Sequence, residues 1–328
     1  MPLNNSEYQV IMREYDELRL ANLREQKRRK ERVYAALPVL AEIDEQLIHG
    51  SVQSAKLALR GDPELLLSLK RTNDRLIAQK KDLIRCAGFS ENYLEPIYRC
   101  PICKDTGYAE NGFCRCFRQA VINHFFMDPG RRELLEKENF STFDESLYSR
   151  TMIDEDTGST YYELMKDFLQ KAKEYVEHFD TEKRNLLIRG ETGVGKTFLT
   201  NCIAKALLDK NYTVLYLSSF RLFEIFERYK FGHEDDSANA RRAFDTILDC
   251  DLLIIDDLGT ELTNSYTNSQ LFICMEERAL RHKPIVISTN LSMEKIKRRY
   301  AERVVSRLFN FQYIKILGSD NRIKRSMM

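Results

Sequence analysis

At 328 residues the chain is long enough for two or three domains, and its 43% of apolar residues suffices for at least one sizeable core. The formal charge of +1 hides an uneven distribution: Arg19–Arg32 holds seven basic and two acidic residues, and Glu294–Met328 ten and three. Such runs admit a nucleic-acid partner as well as plain solvated helix faces. The first residues lack the charged-then-apolar form of a signal peptide and no stretch approaches 18 apolar residues, which excludes a membrane-spanning class and makes the cytoplasm the expected location.

Residues 1–95 read as a charged helical region. Ile11, Tyr15 and Leu18 recur at helical spacing, and Leu65–Leu69, Leu76-Ile77 and Leu83-Ile84 mark a second apolar stripe. Gly50 and Gly61-Asp62-Pro63 are expected breaks between helices. A region of this kind packs on itself or on a partner protein.

Residues 96–137 read as a small zinc-binding module and linker. Cys100, Cys103, Cys114 and Cys116 follow C-x₂-C-x₁₀-C-x-C, four thiolates within 17 residues, which suits tetrahedral Zn²⁺. Asp105-Thr106-Gly107 reads as the tight turn after the first pair. The C-x-C half is unusual, so His124 is an alternative ligand in place of Cys114 or Cys116. Metal at so small a site supplies folding energy, so its role is expected to be structural. Cys86, Cys202, Cys250 and Cys274 stand singly and read as core residues.

Residues 138–328 alternate strands with helices. Expected strands are 186–189, 213–218, 251–255, 284–288 and 313–317. The first four are continuous apolar runs, as strands buried on both faces should be, and 313–317 alternates like an edge. A parallel five-stranded α/β sheet with its ligand at the strand C-terminal ends follows. Gly190-Glu191-Thr192-Gly193-Val194-Gly195-Lys196-Thr197 fits G-x-x-x-x-G-K-[ST] between a short strand and a helix. The glycines let backbone N–H groups curl around a polyphosphate and Lys196 supplies charge to the β/γ-phosphates. The Thr197 hydroxyl ligates Mg²⁺, and the helix N-terminus favours the anion. A nucleoside triphosphate with Mg²⁺ is the expected ligand.

Leu252-Leu-Ile-Ile-Asp256-Asp257 is an apolar strand delivering two carboxylates. Asp256 is placed to hold Mg²⁺, directly or through water, and Asp257 to polarise the attacking water. Asn290 ends the next strand, where an amide can orient the water or touch the γ-phosphate, though such residues also serve plain turns. Within Ser218–Phe231, Leu222, Phe223 and Phe226 read as core. Tyr229, Lys230 and Tyr266 are the better exposed candidates for stacking on single-stranded DNA.

Gly190–Thr197, Asp256-Asp257, Asn290 and Glu302-Arg303-Val-Val-Ser-Arg307-Leu308 resemble the Walker A, Walker B, sensor 1 and arginine-finger elements of AAA+ ATPases. More narrowly, residues 140–328 are similar to bacterial replicative helicase loaders of the DnaC/DnaI type. The resemblance implies that Arg307, or Arg303 beside it, reaches the γ-phosphate in a neighbouring subunit, and that Arg322 is a second sensor touching nucleotide. It also implies that the cysteine region engages the helicase. Asp257 stands where many AAA+ proteins carry Glu, which implies slow hydrolysis. Only 38 residues follow Asn290, too few for the helical lid common in AAA+ proteins, as in loaders and the related IstB transposition helpers.

The expected function is thus that of a cytoplasmic ATPase, slow and stimulated by DNA. It would self-associate through its ATP site and place a DnaB-type hexameric replicative helicase on single-stranded DNA, with a replication initiator as a further partner. The alternatives are an IstB-like transposition helper and an ATP-binding adaptor with little hydrolysis.

Overall fold

Three long helices open the chain in the computed structural model, which describes residues 3, 5–60, 63–110, 112–127, 129–232, 237–318 and 320–321. They are α1 (Asn5–Ala36), α2 (Val39–Arg60) and α3 (Pro63–Cys86). Leu37-Pro38 separates α1 from α2, because proline cannot donate the next helical hydrogen bond. Val33, Leu40, Ile43 and Ile84 form a buried cluster against which Leu47, Leu76, Phe89 and Tyr93 pack. Lys80 of α3 pairs with Asp44 of α2.

Gly50 does not break a helix as expected; α2 runs through it. A Cβ there would collide with the Asn73 side chain of α3, so the glycine serves close helix approach instead. Of the second expected break, Gly61-Asp62 lies outside the described residues, and Pro63 opens α3, where its missing N–H costs nothing. Cys86 is a second correction: as the last residue of α3 it is exposed.

A minimal antiparallel hairpin follows, β1 (Tyr108–Ala109) with β2 (Gly112–Phe113), then α4 (Arg115–Phe126) and α5 (Pro129–Lys137). Next come α6 (Tyr161–Glu177), α7 (Phe179–Glu182), β3 (Leu186–Gly190), α8 (Lys196–Asp209), β4 (Val214–Ser218), α9 (Ser219–Phe231) and α10 (Ser237–Asp249). The chain ends with β5 (Leu252–Leu258), α11 (Ser265–Leu280), β6 (Ile285–Thr289), α12 (Met293–Arg299), α13 (Glu302–Phe309) and β7 (Gln312–Ile316). Caps fix several starts: Thr160 and Glu163 form a reciprocal capping box at α6, and the Ser218 hydroxyl accepts from Arg221 N at α9.

All five long strands pair in parallel in the order β4-β5-β6-β3-β7. The chain passes from β3 to the far edge and works back, an AAA+-type order with β3 beside the edge strand β7. Alternate side chains feed two buried layers. Leu215, Leu253, Ile255 and Ile287 face the layer containing α9, α11 and α13, while Leu186, Val214, Ile254 and Val286 face α6 and α8. Both faces are apolar, which is why these strands show no alternation in the sequence.

The chain divides into two compact units, Met12–Gly107 and Met1–Ile11 with Tyr108–Met328. The expected boundaries at 95/96 and 137/138 differ from this, because α4 and α5 belong with the sheet. Gln119 of α4 donates to Val214 O at 3.1 Å and accepts from Val214 N at 2.7 Å. It thereby covers the edge of β4, and Ile122 enters the core beside Leu215. No helix among the described residues is long and apolar enough to cross a membrane.

Candidate nucleotide site and cysteine cluster

Residues Gly190–Thr197 link β3 to α8 along the sheet's C-terminal edge. Gly193 and Gly195 have φ of +82° and +105°, in the region that side chains disfavour. At Gly190 the need is space: a Cβ would lie 2.6 Å from Ile316 O of β7. Val194 turns its side chain into the core, and its carbonyl accepts from Tyr148 OH at 2.8 Å and from Asn321 Nδ2 at 3.3 Å. The loop is thus clasped from outside by residues distant in sequence. Lys196 is 6% exposed and its ammonium donates to Glu191 O at 2.8 Å.

Asp256 and Asp257 part ways at a bulge in β5 between Ile255 and Leu258. Asp256 is buried on the α8 face. Its Oδ2 accepts from Tyr216 OH at 2.9 Å and lies 3.3 Å from Thr197 Oγ1, while Ser288 holds its Oδ1. Burial, reinforced by the charge of Asp256, pushes the Tyr216 phenol well above its ordinary pKa, so it stays a donor. Asp257 takes φ of +56°, which turns its exposed side chain outward, and its N–H donates to Ser288 Oγ at 2.9 Å.

A cavity of about 340 Å³ runs between these elements. Thr192, Gly193, Gly195, Lys196 and Thr197 line its floor, with Asp257, Thr260 and Asn290 also in its wall. Leu134, Phe143, Leu147, Tyr148 and Phe198 give it an apolar, largely aromatic part; Phe143 stacks on Tyr148 at 5.9 Å and meets Phe198 edge-on at 5.6 Å. A ligand with a flat apolar end and a polyanionic end matches this lining. Phe143, Tyr148, Glu138, Asn321, Tyr216 and Ser288 were not legible as site residues, because aromatic or polar residues in irregular chain and mid-strand carry no spacing of their own.

Glu191 and Thr192 are exposed. Arg307 and Arg303 stand away from the cavity, on α13 against α11. Arg307 pairs with Glu276 through Nε at 2.6 Å and through its second nitrogen at 2.9 Å; Arg303 donates to Ser269 Oγ at 2.7 Å and lies over the Phe272 ring. Arg322 lies outside the described residues. Leu222, Phe223 and Phe226 are buried as expected. Tyr229 stacks on Phe244 at 4.2 Å, the Tyr266 hydroxyl donates to Phe226 O at 2.8 Å, and the Lys230 ammonium lies 5.2 Å from the Tyr266 ring centre.

The sulfurs of Cys100, Cys103, Cys114 and Cys116 all lie within 4.8 Å of one another, three of the residues buried. His124 is exposed and outside the group. Lys104 and Asp105 take left-handed φ of +51° and +59°, Lys104 N donates to Cys100 O at 2.9 Å, and the Asp105 carboxylate accepts from Arg99 N and Cys100 N. This tight turn brings the first pair of sulfurs together. A tetrahedral zinc–thiolate centre, with Zn–S of about 2.3 Å, needs sulfurs roughly 3.8 Å apart, and the four present suit it. Cys202, Cys250 and Cys274 are ordinary core thiols, raised in pKa by burial, Cys274 up to about 12.

The strand order, the phosphate loop and the paired carboxylates define a P-loop ATP-binding domain of AAA+ type. Residues 167–309 match the family model described as IstB-like ATP binding protein. The replicative helicase loader DnaC of Escherichia coli (strain K12) is 26% identical over 140 residues, 43% of this chain and 56% of DnaC. The chain therefore matches about half the length of that relative. The replicative helicase loader DnaI of Bacillus subtilis (strain 168) is 20% identical over 268 residues, 76% of this chain and 82% of DnaI. A crystal structure of the DnaC helicase loader aligns with 56% of this chain and 99% of its own at 20% identity, with a TM-score of 0.44.

Proposed function

We propose that the protein is an ATP-dependent loader of a hexameric replicative helicase onto single-stranded DNA. The observation that carries this is one cavity bounded by the phosphate loop, Asp257 and Asn290, in a chain whose similarity to a helicase loader extends over 268 residues, beyond the ATPase domain. Lys196 would neutralise the β/γ-phosphates. Thr197 and Asp256, hard oxygen donors 3.3 Å apart, suit Mg²⁺, which supplies charge neutralisation at the phosphates when bound. Asp257 would polarise the attacking water and Asn290 orient it. The arginine completing the site would come from a neighbouring copy, Arg307 or Arg303, since neither lines the cavity of its own chain.

The four-sulfur cluster would hold structural zinc, and the region carrying it would bind the helicase. Tyr229, Lys230 and Tyr266 remain the candidate DNA-facing residues. The test is retention of the cognate hexameric helicase on circular single-stranded DNA, with ATP, with and without this protein. Absence of any helicase association would sink the loader reading. The IstB-like family match favours a second reading, a transposition helper; ATP-dependent binding to duplex DNA in preference to single strands would select it.

A further inference from the structure

Tyr216 stands in the middle of β4, a strand that carries neither the phosphate loop nor the paired carboxylates. Its hydroxyl donates to Asp256 Oδ2 at 2.9 Å and shares a hydrogen bond with Thr200 Oγ1 at 2.8 Å. With Ser288 on Oδ1, the carboxylate is held from both sides by hydroxyls that come from β4 and β6. The register explains the arrangement. Ser218 pairs with Asp256 and Tyr216 with Ile254, so Tyr216 and Asp256 are diagonal neighbours on one face of the sheet. A phenylalanine would fill the same space; only the hydroxyl reaches the carboxylate.

A second contact reaches this group from outside the sheet. The Arg131 guanidinium lies over the face of the Tyr216 ring, 4.3 Å from its centre. Arg131 belongs to α5, which also lies along α8: Glu136 pairs with Lys205 at 3.4 Å, and Glu138, just beyond α5, accepts from Asn201. Leu134 and Glu138 line the nucleotide cavity itself. A cation over an aromatic face favours one placement of the ring, and the ring's hydroxyl sets the carboxylate.

We propose that Tyr216 is a positioning residue for the divalent cation of the ATP site, and that Arg131 ties the placement of α5 to the orientation of Asp256. The proposal rests on the reading that Thr197 and Asp256 hold Mg²⁺ with ATP. Partners that orient a metal ligand commonly change metal affinity about 10- to 100-fold when removed.

The test uses the full chain and a fluorescent N-methylanthraniloyl ATP, titrated first in EDTA and then with increasing Mg²⁺. Tyr216→Phe should bind the nucleotide in EDTA within about twofold of wild type, while the Mg²⁺ midpoint rises about tenfold. Arg131→Ala should move that midpoint the same way by a smaller factor, and Arg131→Lys, which keeps a cation over the ring, should bring it back. Equal weakening of Tyr216→Phe with and without Mg²⁺ would make Tyr216 a packing residue and overturn the proposal, as would an unchanged midpoint. A shifted midpoint in Tyr216→Phe with none in Arg131→Ala overturns the link to α5. Wild-type binding indifferent to Mg²⁺ would instead overturn the metal reading of Thr197 and Asp256 beneath it.

Discussion

Lys196 and Asp257 are close in function and opposite in what their loss should do. Lys196 is buried on the floor of the cavity with its charge among backbone groups. Lys196→Ala should therefore abolish tight ATP binding, measured by calorimetry. Asp257 reaches the cavity through a left-handed backbone, and its carbonyl accepts from the Ser219 and Thr260 hydroxyls, which fix the turn. Asp257→Asn preserves that turn, so ATP affinity should stay within about twofold while turnover falls by 10²-fold or more, on the order of the loss of a positioned catalytic group. A mutant hydrolysing at the wild-type rate would remove Asp257 from catalysis. The glycines show what residue type alone conveys. Their pattern identifies the loop, but it does not show that a side chain at Gly193, already disfavoured by the φ of +82°, would also meet the Asp320 carboxylate from the far end of the chain.

Among the elements, β4 behaves unlike an ordinary edge strand. It is apolar and buried nearly throughout because α4 lies over it, with Gln119 bonded to both backbone groups of Val214. Gln119→Leu keeps the bulk but leaves the Val214 N–H and C=O unpaired in a buried place. A loss of about 1–3 kcal/mol is expected, read from urea unfolding. At the other end of the sheet's strands, Asp251 accepts from Thr213 N at 2.9 Å and Thr213 Oγ1 at 2.8 Å, and Lys283 reaches it at 2.6 Å. These residues precede β5, β4 and β6, so one carboxylate ties three strand starts together. Burial works against its charge, but Lys283 and the Thr213 donors prevail and hold its pKa below the ordinary value. A lowered native pKa means stability that is complete above the unfolded value of about 3.9 and lost as pH falls through the native one. Acid unfolding of wild type should show this loss, and Asp251→Asn, less stable at neutral pH, should show less of it.

On the scale of the whole molecule, two predictions concern what one chain holds and what two share. The purified protein should carry about one zinc per chain by elemental analysis, since four converging sulfurs match a closed site. Zinc-free protein from reducing, chelator-free purification would reduce the cluster to four thiols. Arg307 is held by Glu276, but the arginine is exposed and its partner only half-buried, and a pair so open to solvent is worth only about 0–1 kcal/mol, so little opposes its release to a neighbour. Arg307→Ala should bind ATP and fail to hydrolyse it. Mixed with Lys196→Ala, it should regain activity, because some interfaces then join an intact loop to an intact arginine. An inert mixture that still co-assembles would defeat the shared site, and Arg303→Ala decides which arginine serves.

The sequence by itself determined what depends on neighbours along the chain. The strand–loop–helix at 186–208, the apolar runs of four strands, the edge character of 313–317 and the cysteine spacing were all legible, since each is set by local backbone needs or by periodicity. Gly50 misled because an isolated glycine looks the same whether it ends a helix or lets two helices approach. What only the tertiary structure decided is the surroundings of the chemistry. Tyr216 and Ser288 grip Asp256 because parallel register places them beside it, Tyr148 and Asn321 clasp the phosphate loop from opposite sides of the sequence, and Gln119 claims the edge of β4. None of these pairings has a spacing to read. They arise because buried carboxylates, carbonyls and strand edges must find partners, and folding supplies those from wherever the chain happens to pass.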